Sequence, residues 1–487
     1  MKQAGVVGTV GIAVLGRIRR TCIRGAAGIA LVAAMAAPSW SETLAEALTA
    51  AYMNSGLLDQ NRATLRAADE DVAQALAELR PVLRWTGNIR REYGYSGGTN
   101  TFGIFVENGR VNQTASINLI AEIVLYAGGR NKLGLDAAKE QVLATRAQLV
   151  AIEQQVLLRA AAAFMNIRRF AETTALRENN VRVIQQELRA ARDRFEVGEV
   201  TRTDVALAEA RLAQARAALA AAQGDLIVAG EEYLAAVGVK PRNLVNPRSL
   251  PKLPASVAEA KKQALYQHPE LISQQHAVTA AELAILIAKG AKKPTVSLEG
   301  SYGVTENFDN SAYSRGGSIT LGASGPIYSG GALDSSERQA VANRDAQRGR
   351  LHVVLAEIEQ NVGQAYANLR VARANRTSFE EQVRAATVAF RGVREEAKLG
   401  ARTTLDVLDA EQELLDARAS LVGAQVDEAI ASYQVLSSLG LLTAEALHLD
   451  VPSFDPSAYY NLVKKAPRNR SKQGAELDRV LKALGKE

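Results

Sequence analysis

The feature that most constrains this chain is a pair of turn sequences set 202 residues apart. The first reads Val197-Gly198-Glu199-Val200-Thr201-Arg202-Thr203-Asp204-Val205, and the second Leu399-Gly400-Ala401-Arg402-Thr403-Thr404-Leu405-Asp406-Val407. The same step carries Leu125-Tyr126-Ala127-Gly128-Gly129 onto Ile327-Tyr328-Ser329-Gly330-Gly331. Self-similarity at a fixed step predicts an internal two-fold sequence repeat. Its halves are residues 42–253 and 254–450, followed by a basic tail, 451–487, that is either surface-packed or disordered.

Residues 1–41 precede the repeat. Lys2, Arg17, Arg19, Arg20 and Arg24 form a basic lead, Gly25 to Ala37 is apolar, and small residues between about 36 and 41 offer a cleavage point. This pattern predicts a secretory signal peptide; the alternative is an N-terminal anchor, for which the run is short. Five of the 58 basic residues and none of the 52 acidic ones lie there, so the mature chain carries 53 against 52. The high pI therefore belongs mainly to the leader, and a nucleic-acid partner loses its support. Cys22, the one cysteine, also lies in the leader, which removes disulfides and thiol chemistry from the mature chain.

Within each half, strand and helix periods follow one another. After Pro81, Leu83, Trp85, Ile89 and Tyr93 alternate with Arg84, Thr86, Asn88 and Arg90, and Ala115 to Ile123 alternate in the same way. Between them, loops are expected at Tyr95–Thr101 and around Asn108–Asn112. After Pro294 the pattern recurs in Val296, Leu298, Tyr302 and Val304, with a loop at Glu306–Ser314, and again in Ile319, Leu321 and Ala323. The spans predict hairpins at about 82–124 and 295–325 with strands of roughly 10 residues, the length that crosses a bilayer at a tilt. An apolar face opposite a polar one fits a membrane barrel; a pair of surface hairpins on a soluble protein is the alternative.

Long proline-free helices are expected at about 129–196 and 331–398, with return helices at about 201–238 and 402–439. Leu135, Val142, Leu149, Val156 and Ala163 fall seven apart, as do Leu408, Leu415, Val422, Ala429 and Leu436. Such spacing predicts antiparallel helices in coiled-coil packing. Alanine-rich interfaces favour a thin-walled helical barrel over a solid bundle, which stays open. The fold class is thus mainly α with membrane β. At the turns, Gly198 and Gly400 are expected as left-handed helix terminators, and Thr201-x-x-Asp204 and Thr403-x-x-Asp406 as capping boxes. Open strand edges are not tolerated in lipid, so four strands per chain require several chains to pool them.

The Pro326-Ile327-Tyr328-Ser329-Gly330-Gly331 junction, the Phe195-x-x-Gly198 turn with Thr203-Asp204-Val205, the run Gly400-x-Arg402-Thr403-x-Leu405-Asp406-Val407-Leu408-Asp409-Ala410, and His268-Pro269-Glu270-Leu271 occur in order and at doubled spacing. With these motifs the chain, from about residue 42 to 450, resembles the TolC family of outer-membrane efflux and type I secretion channels. The resemblance implies a homotrimer with a 12-stranded barrel continuous with a periplasmic α-barrel. It places the protein in the bacterial outer membrane with a long periplasmic extension. Its implied partners are a periplasmic adaptor (a membrane fusion protein) and an inner-membrane ABC or RND pump.

The resemblance also assigns residues. Asp406 and Asp409 are expected to line the aperture at the periplasmic tip, where a carboxylate ring favours cations. Asp409 stands where the first copy has Leu207, so the repeat is asymmetric here. Arg402 matches an arginine that in the family bridges to the acid matching Asp204 and holds the aperture shut. The family's aromatic partner near this turn is absent, its position holding Ala397. Val197, Gly198, Glu199, Leu399, Gly400 and Ala401 are the candidate adaptor-docking tips, and Gly128, Gly129, Pro326, Gly330 and Gly331 the strand–helix junctions. Val124 stands in place of the first junction proline, and the first hairpin is 11 residues longer than the second, an excess expected in an extracellular loop.

No hydrolase, nucleotide or metal pattern is visible, and His268, His276, His352 and His448 lack zinc-site spacing. Neither an enzyme nor a cofactor is expected. The rival reading is a periplasmic coiled-coil adaptor, which also combines a leader, helical hairpins and β segments.

Overall fold

Local capping and proline placement set where each element starts. The computed structural model describes residues 42–483 apart from 248, 453 and 468–471, so the expected leader lies outside the described residues. Thr43 and Glu46 form a capping box that starts α1 (Leu44–Asn54), and the Ser55 hydroxyl accepts from Leu58 N–H to start α2 (Gly56–Ala77). Then come β1 (Val82–Thr99), β2 (Phe105–Ala127), α3 (Arg130–Glu196) and α4 (Arg202–Val237). The same order recurs as α5 (Val257–Gln267), α6 (Pro269–Gly290), β3 (Thr295–Asn307), β4 (Tyr313–Ser324), α7 (Ala332–Lys398) and α8 (Thr404–Ser438). Two short helices, α9 (Ala458–Val463) and α10 (Lys472–Ala483), follow.

The strands make one antiparallel sheet in the order β1-β2-β3-β4. The register aligns Trp85 with Leu119, Leu119 with Tyr302 and Leu298 with Leu321, so the apolar positions of all four strands share one face. The opposite face carries Arg84 paired with Glu122 at 3.2 Å and Ser301 bonded to Ser318 at 2.9 Å. Ile89, Tyr93 and Ile319 are about four-fifths exposed, so nothing among the described residues covers the apolar face at these positions.

The strands differ in length from the expected 10 residues. β1 has 18 and β2 has 23, against 13 and 12 for β3 and β4. The extra length of the first hairpin is not a loop. It continues as a two-stranded ribbon in which Arg91 to Thr99 pair with Phe105 to Gln113, beyond the reach of β3. Asn108–Asn112, expected as a loop, is therefore strand. The turn is confined to residues 100–104, where the Asn100 side chain accepts from Phe102 and Ile104 N–H.

At 67 residues each, α3 and α7 run on the order of 100 Å. The seven-residue spacing marks real interfaces. Val142, Leu149, Val156 and Ala163 are buried, as are Leu408, Leu415, Ala429 and Leu436. α3 is the central helix, in contact with α2, α4, α6 and α8, around a core that includes Leu157, Phe164 and Tyr233. α7 is more open. Ile358, Val362 and Leu369 seat it against Ala431 and Val435 of α8, but its first stretch, 332–353, contains no buried residue. Among the described residues α6 is the one helix long and apolar enough to span a membrane, yet it is fixed on its neighbours by His276–Glu140 at 2.7 Å and Gln274–Gln347.

The strand–helix junctions are alike in backbone and unlike in surroundings. Gly128 and Gly330 have φ 64° and 60°. A Cβ on Gly128 would lie 2.3 Å from the Gly290 carbonyl oxygen, whereas one on Gly330 would meet nothing within 4 Å.

The tail is partly helical and packed on α2. Tyr459 Oη donates to Glu70 Oε1 at 2.8 Å, and the Arg146 guanidinium lies 5.1 Å from the Tyr460 ring centre. Beneath this contact Asp69 is fully buried, 3.8 Å from Arg146. Burial pushes its carboxyl up to about 6, with Arg146 opposing and Glu70 adding to the rise. Because the folded value exceeds the unfolded one near 3.9, the protonated side chain favours folding, and that contribution is lost as pH rises through about 6. Asp69→Asn is therefore expected to flatten the fall in melting temperature of the detergent-purified protein between about pH 4 and 6. An unchanged slope would contradict this assignment.

Candidate functional site

Both long helices end at the same level, farthest from the sheet, and each turn is closed by the same set of backbone bonds. Gly198 and Gly400 take left-handed φ values of 81° and 77°. Glu199 N–H reaches Arg194 O at 2.9 Å and Gly198 N–H reaches Phe195 O at 3.0 Å. Ala401 N–H to Glu396 O at 2.9 Å and Gly400 N–H to Ala397 O at 3.2 Å repeat the arrangement. This is the Schellman termination, for which glycine is favoured because a side chain strains a positive φ.

The return helices begin with full capping boxes. Thr201 N–H donates to Asp204 Oδ2 at 2.9 Å, and Asp204 N–H returns a bond to Thr201 Oγ1 at 3.3 Å. Thr403 and Asp406 match them at 2.9 and 3.2 Å. Hydrogen bonds from the Thr201 hydroxyl and backbone hold Asp204 below the usual carboxylate range, and the Thr403 backbone and hydroxyl do the same for Asp406. Both acids are thus kept ionised and pinned to their own helix starts.

The remaining charges tie the two hairpins together. Asp409 accepts from Arg211 Nη2 at 2.6 Å, joining α8 to α4. Leu408, next to it, is buried among Val181, Ile184, Leu188 and Leu212 of the first hairpin. Farther up the same seam, Glu411 is buried within reach of Asn180, and burial raises its carboxyl. Arg394 of α7 lies 3.5 Å from Glu187 of α3.

Arg402 does not make the expected bridge to Asp204. Its Nε donates to Glu396 Oε2 at 2.8 Å, across its own turn. Asp204 and Arg402 nevertheless line one open cleft of about 890 Å³ between the turns, with Glu187, Arg194, Glu199 and Arg394. Beyond the cleft the tips are apolar and bare: Val197 is 72% exposed and Leu399 86%. Glu396 and Arg211 are the partners that the repeat pattern did not reveal. The first sits six residues back across a turn, and the second is in the other half of the chain.

Sequence comparison fits this geometry. A family model described as outer membrane efflux protein matches residues 47–239 and 261–441. The outer membrane efflux protein BepC of Brucella suis is 35% identical over 426 residues, 87% of this chain and 91% of the relative. The alkaline protease secretion protein AprF of Pseudomonas aeruginosa is 25% identical over 390 residues, 78% of this chain and 80% of that one. Among solved structures, the open state of the Neisseria gonorrhoeae MtrE outer membrane channel superposes with a TM-score of 0.69 at 22% identity, covering 83% of this chain and 90% of that one.

The capping geometry predicts a local effect. Thr403→Ala removes the hydroxyl acceptor at the start of α8 at a cost of about 1 kcal/mol, while Thr403→Ser retains it. Native-state hydrogen exchange of the Asp406 amide should quicken about fivefold in the alanine variant alone; equal rates in all three proteins would contradict the cap.

Proposed function

The chain belongs to the outer membrane efflux protein family, and from that membership we propose that it is the outer-membrane conduit of a tripartite export assembly. Three copies pool four strands each into a 12-stranded barrel, and their helices prolong the bore as a periplasmic α-barrel. The paired turns close the periplasmic end and receive a periplasmic adaptor fed by an inner-membrane ABC or RND pump. The cargo class is proteins by type I secretion, small molecules, or both. The chain catalyses nothing in this reading. Family membership removes the rival reading as an adaptor.

One observation carries the proposal. Among the described residues the sheet has a continuous exposed apolar face and two unpaired edges, β1 and β4. Lipid satisfies the face, and only pairing with another copy satisfies the edges. The bare stretch 332–353 of α7 and the open junction at Gly330 lie on this same second half, where a neighbouring copy supplies cover. The two halves of one chain thus play unequal parts in one ring, the first packed from within and the second completed from outside.

Gating follows from the ion pairs. Asp406 and Asp409 stand three residues apart on one helical face, so three copies present six carboxylates around the axis. The Arg211–Asp409 pair ties the two hairpins together while Arg402–Glu396 braces its own turn, and opening must break the first or carry the second. Both pairs are solvent-exposed, so each holds only weakly. A latch of that strength suits a gate that an adaptor must open. The bare Val197 and Leu399 tips, with Gly198, Glu199, Gly400 and Ala401 beside them, offer that adaptor a small apolar knuckle on each hairpin.

Single-channel recording in planar bilayers tests this. The parent should show a small, cation-selective conductance, raised to a similar degree by Arg402→Ala and Glu396→Ala, while Asp406→Asn reduces the cation preference. Conductance at the parent level in both latch variants would remove Arg402 from the gate, and no channel activity from the parent would overturn the conduit itself.

A further inference from the structure

The apolar face of the sheet changes character along its length. The register puts alternate positions of Leu83 to Ile89, Ala115 to Ile123, Val296 to Val304 and Gly317 to Ala323 on it, and none of them is charged. The longer of these runs approach the roughly 9–11 residues with which a tilted strand crosses the hydrocarbon. Among the described residues the charged side chains of this face are Arg91, Glu107, Glu306 and Arg315, and all four lie at the end away from the helices. Arg91 and Arg315 each stand two positions past the uncharged run of their own strand. Arg315 lies 5.3 Å from the Tyr313 ring centre and 4.0 Å from Glu306. Arg91 is exposed and makes no ion pair among the described residues.

Beyond this level the first hairpin continues alone. Its ribbon, Arg91 to Thr99 against Phe105 to Gln113, runs about 30 Å along the strand. A phospholipid headgroup layer is only about 5–8 Å deep, so the ribbon overtops it. The same face nevertheless stays aromatic, with Tyr93, Tyr95 and Phe105. The Tyr95 ring lies over Gly109 and the Phe105 ring over Gly97, where an added Cβ would come within 3.1 and 2.5 Å of them. Each ring thus rests one side on bare glycine backbone and leaves the other open, with Tyr95 82% and Phe105 68% exposed.

In the ring proposed above, β1 of one copy lies beside β4 of the next, which brings Arg91 and Arg315 from two copies to one seam. The repeat supplies the register. β2 maps onto β4 by the 202-residue step, and β3 onto β1 by the 213 residues between Pro81 and Pro294. The Ile117–Val304 pair then becomes Ile319 beside Arg91 of the next copy. Arg315, four residues along β4, falls about 13 Å along the strand from that arginine and on the same face.

We propose that this seam binds a phosphorylated glycolipid of the outer leaflet, the two guanidiniums taking its phosphates and the open faces of Tyr95 and Phe105 stacking on its sugars. The inference rests on the sheet crossing the outer membrane as a ring of copies. A phosphate layer at the arginines with a sugar layer above it matches the order of charge and aromatic rings along the face. Because the site needs two copies, the bound lipid clamps the closed ring from outside.

Native mass spectrometry tests this on the full chain in mild detergent, titrated with diphosphoryl lipid A, its dephosphorylated form and phosphatidylglycerol. The parent should hold diphosphoryl lipid A about 25-fold more tightly than the dephosphorylated form, a factor of about five for each arginine. Arg91→Gln and Arg315→Gln should each remove about fivefold of that preference. Arg110→Gln, on the opposite face of the ribbon, should leave it unchanged. Tyr95→Leu should weaken both forms alike. Equal binding of the two forms by the parent overturns the proposal whatever the variants do. So does phosphatidylglycerol held as tightly as lipid A, or an equal loss in Arg110→Gln. Quenching of Trp85 by brominated phosphatidylcholine in nanodiscs, read in a Trp40→Phe background, separates the two levels. Quenching without a phosphate preference defeats this inference alone, and no quenching defeats the membrane reading beneath it.

Discussion

A sheet edge in hydrocarbon has no water to bond its free N–H and C=O groups, and each group left bare costs several kcal/mol. The rest of this architecture follows from that cost. β1 and β4 are the two edges of a four-stranded sheet, and among the described residues no further strand pairs with either one. In the proposed ring, closing the sheet with other copies satisfies both edges together and sets the helices below the strands around the same axis. The long α3 and α7 need no apolar exterior, because they stand in the aqueous periplasm. In the proposed barrel their alanine-rich seams need only hold a wall one helix thick.

The proposed closure also accounts for the unequal burial of the two halves. α3 is surrounded within its own chain by α2, α4, α6 and α8, and its junction glycine is pressed against Gly290. The corresponding start of α7 and its glycine stand in the open. A duplicated unit that packs one copy from within and leaves the other to a neighbour can form a ring from identical chains, with each subunit covering the next. At the tip the same asymmetry reappears as Asp409, which replaces Leu207 of the first copy and holds Arg211 across the seam.

Much of this was legible in the sequence where the determinants are local. The Thr-x-x-Asp boxes and the turn glycines depend on residues within six of each other, and the structure has every expected bond. The heptad at Val142, Leu149 and Val156 was legible because burial repeats along one helix. The upper part of the first hairpin was not. Gly94, Gly97 and Gly98 break the alternation there, so the segment reads as loop, yet cross-strand pairing to 105–113 keeps it extended. The partners of Arg402 and Asp409 were also hidden. Glu396 depends on how the turn folds back, and Arg211 comes from another helix; neither leaves a periodic trace. The tail was read only as basic, since its path along α2 depends on single contacts at Tyr459 and Arg80.

The account stands on β1 of one copy meeting β4 of the next. Intermolecular disulfide trapping measures this directly, with a cysteine at Thr86 on β1 and cysteines stepped one at a time between Tyr313 and Ser324 on β4, in a chain whose Cys22 is replaced. The account predicts that a narrow set of registers yields covalent ladders ending at three chains, formed in the membrane and dissolved by reductant. A protein that remains a single uncrosslinked chain in every register would contradict it.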